Sequence, residues 1–465
     1  MYDLTNNDWV RVLRRDGTTG RISLLQALRD ADRLHLAYSN PMDRFAVFRF
    51  ILALGYWCFA NTDRPPEPGK PLPAPWISWL EENREYFELY GNGPRFYQDP
   101  AARHVRPVTD LLHEIPTGNN FSHFKHSLDY VSGLCLPCCI QGLLRFTVYA
   151  TSGLPKLKSS INGMPPFYAL PWGKTLAETL CLNWEPRDLM GTPAWVDNTV
   201  DPRTDPVPLL VGLTALARRS RLHEPVAGDV ACAGCGERPG LLVHSCDYQT
   251  AGDIANPHWQ DPHVCYGGKE NKPLKVENLI AEKPLLQDKN WQRPLRDADT
   301  KSSRNEGLSV LCIGVAVNQA KIDDVWETTI RIPHEEPGKD THSVPNWAQA
   351  NRRLIGAYER HRLSRADKAV AGRLKVPLSE ALVSAISPHL VHAAVRLTGG
   401  FIPREGEIPD PVKALYRRLL TVISGAYAPE ATAADASAAS LVRHLRPRLE
   451  QPDVQNKETQ EDQSD

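Results

Sequence analysis

An α+β chain, with a large mixed N-terminal domain followed by a C-terminal four-helix bundle, is what three features of the 465 residues predict. Short alternating segments, short helical segments and loops succeed one another up to about residue 340 without a βαβ rhythm, which argues against a doubly wound sheet. After about Pro345 four amphipathic segments follow with short connections, the pattern of a bundle. Proline supplies 39 residues, above the usual ~5%, and it is spread through Pro65 to Pro75, Pro155 to Pro171 and Pro202 to Pro208. Long ordered loops are therefore expected in the first domain. A length near three typical domains of ~150 residues fits two unequal units: 1–344, then the bundle at 345–450, then a polar tail at 451–465.

The first elements follow from local chemistry. Trp9-Val10-Arg11-Val12 and Gly20-Arg21-Ile22-Ser23 alternate around the turn Asp16-Gly17, which reads as a hairpin. Leu24 to Ala31 and Phe45 to Phe59 carry helical spacing, and the second is apolar enough to sit in the core. In the bundle the helical segments are Asn346 to Ala371, Leu378 to Leu397, Asp410 to Tyr427 and Ala433 to Leu449. Asp410-Pro411 supplies an N-cap acid and a first-turn proline, and Leu415, Leu419 and Val422 repeat on one face. The tail Gln451 to Asp465 is polar and aperiodic, the composition of a disordered segment.

Composition narrows the function classes. Lys and Arg number 54 against 55 Asp and Glu, a net charge of −1, so bulk charge does not hold this chain to nucleic acid or membrane. Any polyanion site must be local. Uncharged runs such as Tyr130 to Leu144 are too short for a bilayer. The acidic start MYDLTNNDWVRV does not resemble a signal peptide, so no membrane partner and a cytoplasmic location are expected. Ten cysteines in such a chain suggest reduced thiols and a metal rather than disulfides.

Two knuckles are the sharpest motif: Cys135-Leu136-Pro137-Cys138 and Cys232-Ala233-Gly234-Cys235-Gly236. Two residues between thiolates let both sulfurs face one ion, and two pairs complete the tetrahedral shell of structural zinc. Because 93 residues separate Cys138 from Cys232, the fold must bring the pairs together; buried, unliganded cysteines are the alternative. Cys139 adjoins the first pair. His123, His126, His258, His263 and Cys265 could be read as ligands of a catalytic metal, but they lack an acid-bearing HExxH-type helix, and loop histidines with local hydrogen bonds explain them as well. No Walker loop, GxSxG elbow or dinucleotide fingerprint occurs.

Three segments have residue types suited to nucleic acid. In Thr151 to Lys174, Gly153 and Gly163 would admit a phosphate to backbone amides, and Lys156 and Lys158 add charge; a proline-rich surface loop is the plainer reading. Ile313 to Ala320 reads as a buried strand entering a turn with Asn318, Gln319 and Ala320, where the amides could meet base edges or simply make the turn. The first bundle helix sets Arg352, Arg353, Arg360, Arg362, Arg365, Lys368, Arg373 and Lys375 against Glu359 and Asp367. This is either a solvated face or a phosphate track.

In order along the chain, these segments resemble the CasA family, the large subunits of the type I-E CRISPR surveillance complex called Cascade. The matching motifs are Asn7 to Val12 with Ile22-Ser23-Leu24, His123 to His126, Gly173 to Leu176 with Glu178 to Leu180, Leu182-Asn183-Trp184, Thr192 to Trp195, Leu213-Thr214 and Arg218 to Leu222. The resemblance implies a non-enzymatic subunit of a guide-RNA complex that recognises the protospacer-adjacent motif in double-stranded DNA. It would also start strand opening and recruit a helicase-nuclease effector. In that family Asn318, Gln319 and Ala320 match a turn whose glutamine acts as a wedge. Gly153 to Gly163 match a glycine loop, and Phe124 and His126 lie in a loop that contacts nucleic acid. Some members carry two CxxC pairs at Cys135/Cys138 and Cys232/Cys235, which supports structural zinc. A family lysine beyond the second knuckle would fall near Tyr248 to Thr250, where this chain has none. A scaffold subunit without DNA readout and a metal-dependent nuclease are the alternatives.

Overall fold

The structure is a computed structural model that describes residues 2–91, 93–112, 133–151, 158–250, 252–264, 266–267, 272–273, 308–318 and 321–332. These fall mainly in a compact unit containing Met1–Val276 and Val310–Glu327. The expected four-helix bundle and polar tail lie outside the described residues.

Among those residues the elements run β1 (Tyr2–Asp3), β2 (Val10–Arg14), β3 (Thr19–Ile22), α1 (Leu24–Arg29), β4 (Leu34–Leu36), α2 (Pro41–Thr62), α3 (Ala74–Glu82), β5 (Glu88–Tyr90), β6 (His104–Pro107), α4 (Leu136–Arg145), β7 (Tyr168–Pro171), α5 (Leu176–Leu182), α6 (Leu209–Thr214), β8 (Arg218–Leu222), β9 (Val226–Ala227), β10 (Leu241–Leu242), β11 (Ser245–Thr250), β12 (Tyr266–Gly267), β13 (Lys272–Pro273), β14 (Leu308–Asn318) and β15 (Lys321–Ile332). The mixture is α+β, as expected.

The strands pair into small sheets of two or three strands among the described residues. The predicted hairpin is β2–β3, with Val10 opposite Ile22 and Gly17 in the left-handed region at φ +83°; β4 adds a third strand that the sequence did not signal. The other three-stranded sheets have the orders β6-β11-β8 and β15-β14-β7.

The core helix α2 begins at Asn40, whose side chain accepts from the Met42 amide, and ends at Asp63 in the left-handed conformation. It is apolar around its whole circumference, so it must be buried on all sides. Helices α3, α4 and α6 do this. Although α2 is long and apolar enough to cross a membrane, most of it is buried inside the protein.

Burying α2 also buries two of its charges, each of which needs a partner. Asp43 accepts from Arg145 Nε at 2.6 Å and Nη2 at 2.9 Å, which ties α2 to the last residue of α4. Arg49 donates to Asp261 through Nη1 at 2.9 Å, pairs with it through Nη2 at 2.7 Å, and donates to the Leu213 carbonyl at 3.1 Å. Asp261 also accepts from Asn162 Nδ2 at 2.8 Å.

Two histidines are held neutral by the same core. Burial lowers His35 to about 4 and His263 to about 3. In the unfolded chain each takes a proton below pH ~6.5. The unfolded state then binds more protons than the folded one, so stability falls as pH falls from about 6.5 towards 4, by up to about 3 kcal/mol per pH unit for the two together. Urea unfolding at about pH 7 and about pH 5 is expected to show the lower midpoint at pH 5, and His35→Gln to flatten the difference. Equal midpoints would contradict this account.

Candidate metal centre and nucleic-acid interface

The first knuckle sits at the start of α4, with Cys135 as N-cap, Pro137 in the first turn and Cys138 one position further. A helix start favours negative charge, hence thiolate. The second knuckle, Cys232 to Cys235, is drawn to it by an antiparallel bridge between Leu134 and Val243, with both amide-to-carbonyl distances 2.9 Å. Gly133, at φ +78°, is required there, because a Cβ would lie 2.3 Å from the Val243 carbonyl oxygen. The Ala233 amide donates to Gly133 at 2.9 Å, and the Cys135 amide donates to Cys232 Sγ at 3.2 Å. Gly234 passes so close that a Cβ would stand 2.9 Å from Cys138 Sγ.

The four sulfurs of Cys135, Cys138, Cys232 and Cys235 lie within 4.8 Å of one another. Cys135 and Cys235 are 3.7 Å apart. Tetrahedral zinc with Zn–S ≈ 2.3 Å requires a separation of about 3.8 Å, so the donor set fits that ion. Without a cation the thiols must share protons: side-chain hydrogen bonds with Cys135 and Cys138 lower Cys232 to about 6 and push Cys235 down. Cys138 is pushed up by hydrogen bonds with Cys135 and the other two. Arg21 supplies a second test of fit. It pairs with Glu237, as does Arg11 at 2.7 Å, while its buried Nε and Nη2 find no hydrogen-bonding partner among the described residues. Cys235 lies beside this guanidinium and raises its basicity against the cost of burial, so a thiolate there complements the charge. All four positions of the shell are filled by sulfur, which leaves none for substrate. Cys139, by contrast, is buried with its thiol 3.9 Å from the Leu134 carbonyl, outside the cluster.

Among the described residues, the histidine candidates form no metal-ligating cluster. His263 is buried, and neither ring nitrogen has a hydrogen-bonding partner among the described residues; its amide, not its ring, donates to Asp261. The local ring hydrogen bond expected of a loop histidine is therefore missing. His258 is exposed and 3.4 Å from Asp205. His123, His126, Phe124 and Cys265 lie outside the described residues.

In the third sheet, β7 pairs only with Val310 to Ile313 of β14. The last five residues of β14, Gly314 to Asn318, run on past it with β15 as their neighbour, a reach of about 17 Å. Only Gln319 and Ala320 separate β14 from β15 in sequence; both lie outside the described residues. Midway along β15, Glu327 pairs with Arg44 of α2 at 3.2 Å, tying the hairpin to the core helix. The strand expected at Ile313 to Val317 is present.

Of the glycine-loop residues, Gly153 and Lys156 lie outside the described residues. Gly163 takes φ +79° in a turn, its amide donating to the Ser160 carbonyl at 2.9 Å, with open space around its α-carbon. Lys158 is half-exposed and 3.5 Å from Asp253. Behind it lies Arg218, the first residue of β8, which no sequence signal singled out as buried. Its guanidinium donates to the carbonyls of Thr151, at 2.6 Å, and Lys158. Arg352, Arg353 and Arg360 lie outside the described residues.

The model of the CRISPR-associated protein Cse1 family matches residues 3–376. Among solved structures, Cse1 from Acidimicrobium ferrooxidans is similar at 18% identity and TM-score 0.63, over 96% of this chain and 98% of its own. CasA from Thermus thermophilus has 17% identity and TM-score 0.63, over 96% and 99%. A chain of a CRISPR RNA-guided surveillance complex gives 17% identity and TM-score 0.63, over 96% and 99%. These likenesses show the shared fold. Among curated proteins no sequence matches.

Proposed function

Because the chain belongs to the CRISPR-associated Cse1 family, also called CasA, we propose that it is the large, non-enzymatic subunit of an RNA-guided Cascade complex. In this reading it recognises the protospacer-adjacent motif in double-stranded DNA, promotes strand opening and recruits a helicase-nuclease effector for antiviral defence, in the cytoplasm. Its partners are then guide RNA and the other Cascade subunits. The observation that carries the reading is the β14–β15 hairpin, whose strand β14 runs on past its pairing with β7 and is followed in sequence by Gln319 and Ala320.

The physical sequence follows from those residue types. The minor groove presents a degenerate pattern, so amides at Asn318 and Gln319 would accept several related motifs. A side chain driven between base steps costs a few kcal/mol of unstacking, offset by motif and phosphate contacts until guide pairing takes over. The glycine loop around Gly153 to Gly163, with Lys156 and Lys158, would follow the backbone. Phe124 and His126 would add contacts, and Arg352, Arg353 and Arg360, on the first helix of a C-terminal four-helix bundle, would supply phosphate charge. Zinc at the four cysteines would lock the two knuckles together without taking part in DNA readout. The nuclease alternative finds little support, since the candidate metal cluster among the described residues is a closed four-thiol shell with no carboxylate.

Duplex binding by the guide-loaded complex, with and without this chain, over a library randomised beside the target, tests the proposal. Motif-dependent binding should vanish without the chain; unchanged binding would leave scaffolding as its work. Gln319→Ala is expected to slow strand opening about tenfold or more while changing initial contact much less. Permanganate reactivity of the target strand against filter binding separates the two steps, and equal losses in both would exclude a wedge.

A further inference from the structure

Arg218 is 3% exposed, and its guanidinium contacts among the described residues are to backbone carbonyls, not to a carboxylate, unlike its neighbour Arg219, which pairs with Asp99 at 3.1 Å. The Arg218 guanidinium donates through Nη1 to Lys158 and to Ala217 at 3.0 Å, and through Nη2 to Thr151 at 2.6 Å. The Tyr248 hydroxyl, which burial keeps protonated, also lies against it. A buried cation normally brings a counter-ion with it. Here one planar fork instead joins the two residues that flank segment 152–157 and leaves its charge uncompensated behind them. Lys158, half-exposed at that place, carries the next positive charge and stands 3.5 Å from Asp253, whereas Arg218 itself has no such partner among the described residues.

The rest of the base is held independently. The Ser160 amide donates to Ala150 at 3.3 Å, the Asn256 amide to Ile161 at 3.0 Å, and Asn162 to buried Asp261. Arg218 is therefore not needed to close the polypeptide at this point. Strand β8 is likewise held by its pairing with β11, from Arg218 opposite Thr250 to Leu222 opposite Cys246.

We propose that Arg218 is a positioning residue for DNA contact: its fork fixes the separation of Thr151 and Lys158, and its uncompensated charge makes this corner favourable to a duplex phosphate. The inference rests on the proposed DNA-reading role of the same loop. A lysine cannot reproduce it, since an ammonium is a point charge without the planar geometry that holds two carbonyls at once.

The test uses the full guide-loaded complex with Arg218→Lys, which keeps the charge, and Arg218→Gln, which removes it. Amide hydrogen exchange of peptides covering 149–151 and 158–160 is expected to rise about tenfold in both variants, with β11 unchanged. Preference for motif-bearing over motif-free duplex should fall about tenfold in both. Only Arg218→Gln should also weaken binding to all duplexes and flatten its salt dependence. Unchanged exchange would overturn the fork, and altered exchange with intact DNA preference would overturn its role in readout. A wild-type complex with no motif preference would defeat the functional reading, and exchange would still decide the fork. Should neither variant assemble, the wild-type peptides must exchange as slowly as those of β11; fast exchange there overturns the inference.

Discussion

Replacing Cys232 with serine is expected to empty the chain of zinc and to lower its thermal midpoint by about 10 °C. In small zinc domains the metal supplies ~10–16 kcal/mol of apparent folding free energy. Here part of the arrangement persists without the ion, because the Leu134–Val243 bridge already joins the two segments. A loss of about 3–5 kcal/mol is therefore expected, enough for the stated shift in a unit of this size. Elemental analysis should find one zinc per wild-type chain and none in Cys232→Ser. Cys139→Ala is the control, since its sulfur lies outside the cluster and its removal should leave the metal in place. A wild-type chain without zinc, or a Cys232→Ser chain that melts normally, would refute the metal centre.

Asp261→Asn is expected to destabilise the protein by a comparable ~3–5 kcal/mol, because it strands a fully buried guanidinium. Asp261 is 0% exposed at its side chain and Arg49 1%. Burial alone would raise the Asp261 carboxyl, but Arg49 overrides this and holds it well below the usual carboxylate range. Its contribution is thus complete above pH ~4 and is lost as pH falls further, through the folded-state value. The double variant Arg49→Met/Asp261→Asn removes both charges and should lose about 2 kcal/mol less than the sum of the single changes. Denaturant titration of the four chains measures this. Strict additivity would mean that the two groups do not support one another.

The consequence of Asp261→Asn reaches the loop base, since Asn162 donates to the same carboxylate. One buried pair thereby links α2, the segment before β12 and the base of the proposed DNA loop. Arg44 with Glu327 does the same for the hairpin. Helix α2 is the common anchor of both.

What the amino-acid order determined by itself was whatever depends on near neighbours. Two residues between cysteines oblige each pair to present its sulfurs together. Asp16-Gly17 between alternating segments makes the β2–β3 hairpin, and the apolar run from Phe45 to Phe59 must be interior. Motifs in shared order along the chain also sufficed to identify the family. Only the tertiary structure decided that the knuckles meet across 93 residues, through one bridge at Gly133 and Leu134. It alone showed Arg49, Arg145 and Arg218 inside, the first two with carboxylates and the third with carbonyls. Such partners stand about 60 to 210 positions apart, so they leave no periodicity to read. An arginine belongs by default to the surface, and only the packing around it shows when burial has been made tolerable.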